Sequence, residues 1–371
     1  MLQTELQTPT RFLLTELQSL GMRLTDEAAG AGSRRGGAGP SDHKAIRLAG
    51  QTIMVPVLTA NARHSPYSAS APDSNGRTML SRDGVAVGPI DFAAIPRFYA
   101  LQTMDGVPYW KIAMLHGTDV LATTVLQTCI RYADRATACQ FCAIGQSLSA
   151  GRTIAHKTPA QLAEVARAAV LLDGVRHMVL TTGTPNVVDR GAAVLCDSTR
   201  AIKQAVALPV QGQCEPPRDP IWFERLRAAG VDSLGMHLEA ATQAVRARIM
   251  PGKATVSIGR YLAAFRQAVP VFGRGQVSTY LLAGLGDSVS EILALCETLI
   301  GIGVHPFVVP FVPIGGTPLE DHAPPTAAFM RAVLGPLARM LAAGDLRSAD
   351  VKAGCSRCGA CSSLAAFEAD L

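Results

Sequence analysis

Long hydrophobic runs are missing from this 371-residue chain, and none reaches the roughly 18 residues that a membrane span needs. Aromatic residues are scarce, at 5%, which argues against a surface that stacks nucleic-acid bases. Charge is sparse as well, at 17% of residues. The net charge of +5 is spread along the chain, and basic runs stop at short pairs such as Arg34-Arg35, which read as a solvated tail. Nucleic-acid binding is therefore unsupported. The opening MLQTELQTPTRFLLTELQSLG lacks a basic n-region and a long apolar core, so no signal peptide is expected. A cytoplasmic, reducing compartment follows, and there nine cysteines speak for metal binding or catalysis rather than a disulfide framework.

Hydrophobic residues make up 48% of the chain, enough for a large core. Leu13, Leu17 and Leu20 keep helical spacing, predicting a short helix over 9–21. GAGSRRGGAGPSDHK, about 30–44, reads as a linker. Residues 45–116 mix strand-like runs (TIMVPVLTA, GVAVGPI) with turn signals (DSNGR, MDGVPY), an α+β extension. From about 117 a regular alternation begins. Apolar runs at 121–129, 177–183, 209–214, 233–240, 276–285 and 305–313 alternate with helical patterns at 159–173, 196–206, 221–229, 241–268, 289–302 and 325–342. Such alternation predicts parallel strands buried on both faces, in either a doubly wound sheet or a partial TIM-like barrel. Chemistry then belongs at the C-terminal strand ends. The organisation expected is an N-terminal extension (1–116), a barrel (117–345) and a Cys-rich tail (346–371).

The stretch CIRYADRATACQFC places Cys129, Cys139 and Cys142 in a C-x9-C-x2-C pattern, with Phe141 before the last thiol. A structural zinc site wants four protein ligands, and no second C-x2-C or close His pair follows within fifty residues. Three thiolates without a fourth suit a 4Fe-4S cluster with one iron open to another ligand. A three-cysteine loop after the first strand resembles the radical S-adenosylmethionine superfamily, within which the chain is similar to biotin synthase and its relatives. The usual first gap is three residues; nine also occurs in the catalytic subunit of the tRNA-modifying Elongator complex. The resemblance implies a (β/α)6 barrel and S-adenosylmethionine on the open iron. It implies a 5′-deoxyadenosyl radical that takes hydrogen from substrate, and an electron donor such as flavodoxin or ferredoxin.

Carried over residue by residue, the resemblance covers 117–345. Thr181, Thr182 and Gly183 would form the turn against the methionyl amino group, and Glu215 would meet ribose hydroxyls or a neighbouring backbone turn. His237 and Glu239, two apart in GMHLEAA, share one side of a strand. Arg260, about twenty residues on, would pair with the methionyl carboxylate, with Arg246 and Arg248 as competitors. Gly284 and Gly286 in LLAGLGDS would admit adenine, and VPFVPIGGTPLE resembles the sixth-strand segment. FYALQTMDGVPYWKIAMLHG and DVLATTVLQTCIRY resemble an uncharacterised bacterial family encoded beside a nitrilase, which implies nitrile or cyanide metabolism without fixing a substrate.

A second motif, AGCSRCGACSS, holds Cys355, Cys358 and Cys361 at C-x2-C-x2-C spacing in a glycine-flanked loop. It reads as an auxiliary iron–sulfur cluster, with zinc or a redox dithiol as alternatives. Cys196 and Cys296 sit on helical faces as core fillers, while Cys214, beside Glu215, is open to either role. A small-molecule radical enzyme is the expected function. Its rivals are a tRNA- or peptide-modifying radical enzyme and a non-catalytic cluster scaffold. No basic, aromatic RNA-binding module is present for the first rival, and the strand-end acids and glycines persist against the second.

Overall fold

A computed structural model describes residues 9–24 and 42–371. The linker read at about 30–44 lies outside the described residues except at its end, where His43 and Lys44 already open a strand. Two sheets organise the chain. The first is built from β1 (Arg23–Leu24), β2 (His43–Leu48), β3 (Gln51–Pro56), β4 (Tyr67–Ala69), β5 (Arg77–Arg82) and β6 (Val85–Phe92), in the order β1-β4-β5-β6-β2-β3. The helix Thr10–Leu20 packs Leu13, Leu14 and Leu17 against Ile46, Ile53, Val55, Leu80 and Ile90 of this sheet. Leu13 and Leu17 of the predicted leucine stripe lie on the buried face, joined by Leu14, while Leu20 is exposed at the helix end.

The second sheet holds β7 (Met114–His116), β8 (Val120–Thr124), β9 (His177–Thr181), β10 (Val210–Gln213), β11 (Ser233–Gly235), β12 (Val277–Ala283) and β13 (Val304–Pro310). Spatial order follows chain order from β7 to β13; β8 to β13 run parallel, and only β7 is antiparallel. A doubly wound sheet needs a switch point where strand order reverses. None occurs here, so the α/β sheet winds one way and curls. Ala122, Val179, Gln213, Tyr280 and Val309, from five different strands, line one lumen. β10 shows how: Gly212 packs outward within reach of Val231 and Leu195, while Gln211 and Gln213 point inward, where Gln213 Nε2 donates to Gln211 Oε1 and Gln211 Nε2 to Ser278 Oγ.

Helices fall where the sequence placed them when end signals are complete. Pro159–Asp173 starts on a Thr158–Gln161 capping box and ends at Gly174 in the left-handed conformation. Val289–Ile302 repeats the pattern with Ser288, Glu291 and Gly303. The segment expected as one helix over 241–268 is instead three: Gln243–Ile249, Pro251–Ala254 and Ile258–Phe272. Pro251 interrupts the first, and Ser257 caps the last by accepting from the Arg260 N–H. The strand expected over 233–240 stops at Gly235, so His237 and Glu239 stand just past its end. Asp105 and Tyr99 join the extension to the barrel: Gln161 Nε2 donates to Asp105 at 2.8 Å, and the Leu115 N–H donates to Tyr99 Oη at 3.0 Å. Tyr109 is core.

Among the described residues no helix is long and apolar enough to cross a membrane.

The tail closes the end of the lumen at the strand starts, opposite the C-terminal strand ends. Its backbone N–H groups meet groups at the strand starts: Lys352 on Gln276 Oε1 at 2.9 Å, Ala353 on Ser233 Oγ at 3.3 Å and Gly354 on His177 Nδ1 at 3.2 Å. Cys355 N–H adds Gln211 Oε1 at 3.3 Å. His177 can accept because burial lowers its pKa to about 4, keeping the ring neutral. We call this end the floor and the other the mouth.

Candidate active site

At the mouth, Cys129, Cys139 and Cys142 line one cavity of about 360 Å³ with Thr181, Thr182, Gly183, Thr184, Glu215, His237 and Glu239. The long first gap does not separate the thiols, because residues 130–138 fold into a docked excursion. Asp134 turns it, accepting from the Ala136, Thr137 and Ala138 N–H groups. It then binds the 249–254 corner, where the Gly252 N–H meets Thr137 O at 3.1 Å and the Gln140 N–H meets Ile249 O at 2.8 Å. A Cβ on Gly252 would stand 2.4 Å from Thr137 O, so the docking needs glycine. Cys139 and Phe141 pack on Val245, Ile249 and Phe311.

Gly183 matters for a similar reason. Its N–H binds Leu126 O at 2.9 Å, and a Cβ there would stand 2.0 Å from Thr128 O, one residue before Cys129. The glycine lets the second strand's turn press against the cysteine loop. Gly183→Ala must push the two apart, so iron uptake after anaerobic reconstitution is expected to fall well below wild type while the circular dichroism spectrum is retained. Normal iron uptake would show that the loop needs no such contact.

Charge in the cavity is organised as two buried pairs. Arg131 Nε and Nη2 clamp the Glu215 carboxylate at 3.0 and 2.9 Å, and Thr184 Oγ1 donates to it at 2.7 Å. Burial alone would raise the Glu215 pKa, but Lys253, Arg131 and Thr184 bring it below the usual carboxylate range. Lys253 Nζ stands 2.7 Å from Glu239 Oε2, with side chains only 12% and 15% exposed. Burial would lower the Lys253 pKa; the carboxylates of Glu239 and Glu215 more than reverse this and hold it above the ordinary lysine range. Glu239 itself has a left-handed backbone, φ 65°. That conformation costs a non-glycine residue about 1 to 3 kcal/mol. It is fixed by the Glu239 N–H on Tyr280 O at 2.9 Å and the Leu282 N–H on Glu239 O at 2.8 Å.

His237 lines both this cavity and the lumen. Its Nδ1 accepts the Tyr280 N–H at 3.2 Å, and burial lowers its pKa to about 3. The ring is therefore neutral with its proton on Nε2, and Nε2 has no partner among the described residues. Below it the lumen, about 320 Å³, is walled largely by apolar residues such as Val179, Leu282, Val309 and Phe311. Phe141, Thr181, Gln213, His237 and Ile314 line both spaces, so they meet.

Three of the expected cofactor residues lie apart from both cavities. Arg260 lines neither cavity, because its Nη2 is spent on Pro217 O and Arg218 O outside the mouth. Gly284 and Gly286 do not line either one; their Cβ positions are filled by Pro325 and by the Arg248 guanidinium, so they serve chain packing. Arg246 is equally remote, buried beneath Leu238 O and Val256 O. Conversely, Arg131 and Lys253 were not singled out by sequence. No motif marks them, and only the fold brings them to Glu215 and Glu239. Cys214 faces the cavity, its thiol pushed up to about 12 by burial, whereas Cys196 and Cys296 are core.

Two of the mouth thiols, Cys139 and Cys142, are neutral as they stand. Desolvation pushes Cys142 to about 11 and Cys139 well above its ordinary value. Among the described residues no three His, Cys, Asp or Glu side chains stand close enough to share a single metal ion. An iron–sulfur cube takes its thiolates on separate irons, and three cysteines spaced around one cavity fit that demand.

The sequence model of the Radical SAM superfamily matches residues 136–299. The match starts inside the excursion, after Cys129 and before Cys139. A bacteriochlorophyllide c C-7(1)-hydroxylase from Chlorobaculum limnaeum is 29% identical over 125 residues, covering 33% of this chain and 31% of that protein. The chain thus spans about a third of the length of the curated relative it matches. Methylornithine synthase has a TM-score of 0.48 at 16% identity, covering 63% of this chain and 66% of that one. A radical SAM methyltransferase from Sphaerobacter thermophilus has 0.46 at 17%, covering 76% and 75%.

Proposed function

We propose that this chain, whose residues 136–299 match the Radical SAM superfamily model, is a radical SAM enzyme that binds a 4Fe-4S cluster and S-adenosylmethionine at the mouth and acts on a small molecule held in the lumen. The observation that carries the reading is the cavity shared by Cys129, Cys139, Cys142 and the strand-end groups Thr181–Thr184, Glu215 and Glu239. When bound, the cluster and its cofactor supply a 5′-deoxyadenosyl radical to a substrate held beside them. The chain's own residues bind and orient. Cys129, Cys139 and Cys142 hold the cluster, and Phe141 and the Thr181–Gly183 turn shape its lip. Lys253, rather than Arg260, is the buried cation that meets the methionyl carboxylate, while Glu239 and Glu215 accept from amino or hydroxyl groups. The neutral His237 Nε2–H donates to an acceptor on substrate or cofactor.

A lumen of about 320 Å³ suits a small, largely apolar molecule. That size favours a metabolite over tRNA or a folded peptide, and an apolar wall excludes water from radical chemistry. Placement near nitrile or cyanide metabolism rests on the sequence resemblance alone, as does a flavodoxin or ferredoxin donor, and a cytoplasmic setting rests on the sequence's lack of signal-peptide features and long apolar runs. The reading is tested by anaerobic reconstitution with iron and sulfide, then reduction with dithionite and S-adenosylmethionine. About four irons at the mouth and release of 5′-deoxyadenosine are expected. A fully loaded protein that yields none would overturn the proposal.

A further inference from the structure

The three tail cysteines do not lie on the surface. Cys355–Cys358 forms one helical turn between Gly354 and Gly359, with φ of 112° and 68°. The Gly359 N–H returns to Cys355 O at 2.9 Å, and the Ser362 N–H to Gly359 O at 3.0 Å. These successive turns carry Cys355 and Cys361 up to the lumen, while Cys358 lies just below, on an outer pocket beside Thr52, Asp119 and His177. A Cβ on Gly354 would stand 2.1 Å from the Gln211 carboxamide, so only glycine passes there. Cys355 and Cys358 pack on Val120, Ala122 and Val179, and Cys355 and Cys361 line the lumen.

Polar groups converge on the sulfurs. Gln213 Nε2 donates to Cys355 Sγ at 3.3 Å, and the Tyr280 hydroxyl reaches Cys355 and Cys361. His116, the last residue of β7, places Nε2 3.3 Å from Cys361 Sγ. With metal–sulfur and metal–nitrogen bonds of about 2.3 and 2.0 Å, a tetrahedral centre holds its sulfur and nitrogen ligands about 3.5 Å apart. A His and a Cys at that separation need little movement to share one metal.

We propose that Cys355, Cys358, Cys361 and His116 bind a thiophilic metal centre on the lumen floor, separate from the mouth cysteines and facing the same substrate space. Three thiolates and an imidazole on separate irons suit an iron–sulfur cluster, whereas a single zinc would need these side chains drawn closer together than they stand. Gln213 and Tyr280 donate to the ligating sulfurs, as outer groups do around such centres. The inference deepens the radical-enzyme reading by giving the substrate cavity a metal-bearing wall at each end.

Two variants separate the sites. Cys129, Cys139 and Cys142 are changed together to Ala in one, and Cys355, Cys358 and Cys361 together to Ala in the other. Both are loaded anaerobically with iron, sulfide and zinc, desalted, and counted for iron, zinc and labile sulfide beside wild type. The mouth variant is expected to keep metal: iron with sulfide identifies a cluster, zinc without sulfide a single ion. The floor variant is expected to hold less metal than wild type by that amount. In the mouth variant, His116→Ala should lower that metal content or alter its visible spectrum (read after cobalt loading if the metal is zinc), and His116→Cys should restore binding. A floor variant that holds as much metal as wild type overturns the floor site. A mouth variant that holds as much as wild type overturns the mouth assignment instead, so the two failures are distinguishable. If the mouth variant does not fold, the comparison of floor variant with wild type still decides. An unchanged content and spectrum in His116→Ala removes the histidine from the ligand set.

Discussion

Cys142→Ala is expected to reduce 5′-deoxyadenosine formation to background and to lower the iron bound at the mouth. Cys142 is the last of three thiols on the cavity, fixed by its own N–H on Cys139 O at 3.0 Å. Removing it leaves two thiolates, too few for a site-differentiated cube. Because Ala replaces a small side chain without disturbing the excursion's backbone bonds, thermal unfolding should change little. The measurements are iron per chain and chromatographic quantitation of 5′-deoxyadenosine after dithionite. Undiminished cleavage would mean that the cluster is held elsewhere.

The second large effect falls on Lys253. Lys253→Met keeps the length of the side chain but leaves Glu239 and Glu215 buried without that cation. Breaking a buried pair by removing one partner costs about 3 to 5 kcal/mol. With the usual dependence on domain size this lowers Tm by about 10 °C. Affinity for S-adenosylmethionine should fall at least about thirtyfold, equivalent to roughly 2 kcal/mol, for loss of a buried charge partner. Arg260→Ala is the control: it removes an outward-facing side chain, and the affinity should stay within about twofold. Calorimetric titration below the lower Tm reads both. The opposite pattern, with Arg260 essential and Lys253 dispensable, would return the carboxylate to the residue that the resemblance first pointed to.

What could be read in advance follows from where the information lies. The helices 159–173 and 289–302 carry their start and stop signals within the segment, so their bounds were legible to the residue. The break at Met250–Pro251 was legible too, since a proline cannot continue a helix, but a strong apolar period masked it. The mouth cysteines, Glu215 and Glu239 announced themselves by residue type at strand ends. Lys253 and Arg131 did not, because an ion pair between residues 84 apart in sequence, such as Arg131–Glu215, leaves no local pattern. Arg260 was misplaced for a geometric reason. Counting residues across a segment assumed to be one helix gives the wrong direction once the segment turns at Pro251 and again before Ser257. His116 escaped notice because it belongs to the extension side of the chain, ahead of the first parallel strand.

The floor closure also sets an order of events during biosynthesis. Gln18 Nε2 donates to Ala360 O at 3.1 Å, the Met54 N–H donates to the same oxygen at 2.7 Å, and Thr15 shares a hydrogen bond with Ser363 at 2.8 Å. Ala366 completes the core of the N-terminal sheet. A segment that leaves the ribosome after all the barrel strands is thus a structural part of the first sheet to be made. The early sheet must wait, incompletely covered, until residues 351–366 arrive and thread the floor. Folding of this chain is then a closing of a loop between distant segments, slow to finish by the cost of long-range contacts, and Cys355 and Cys361 enter the lumen only in the act that completes it.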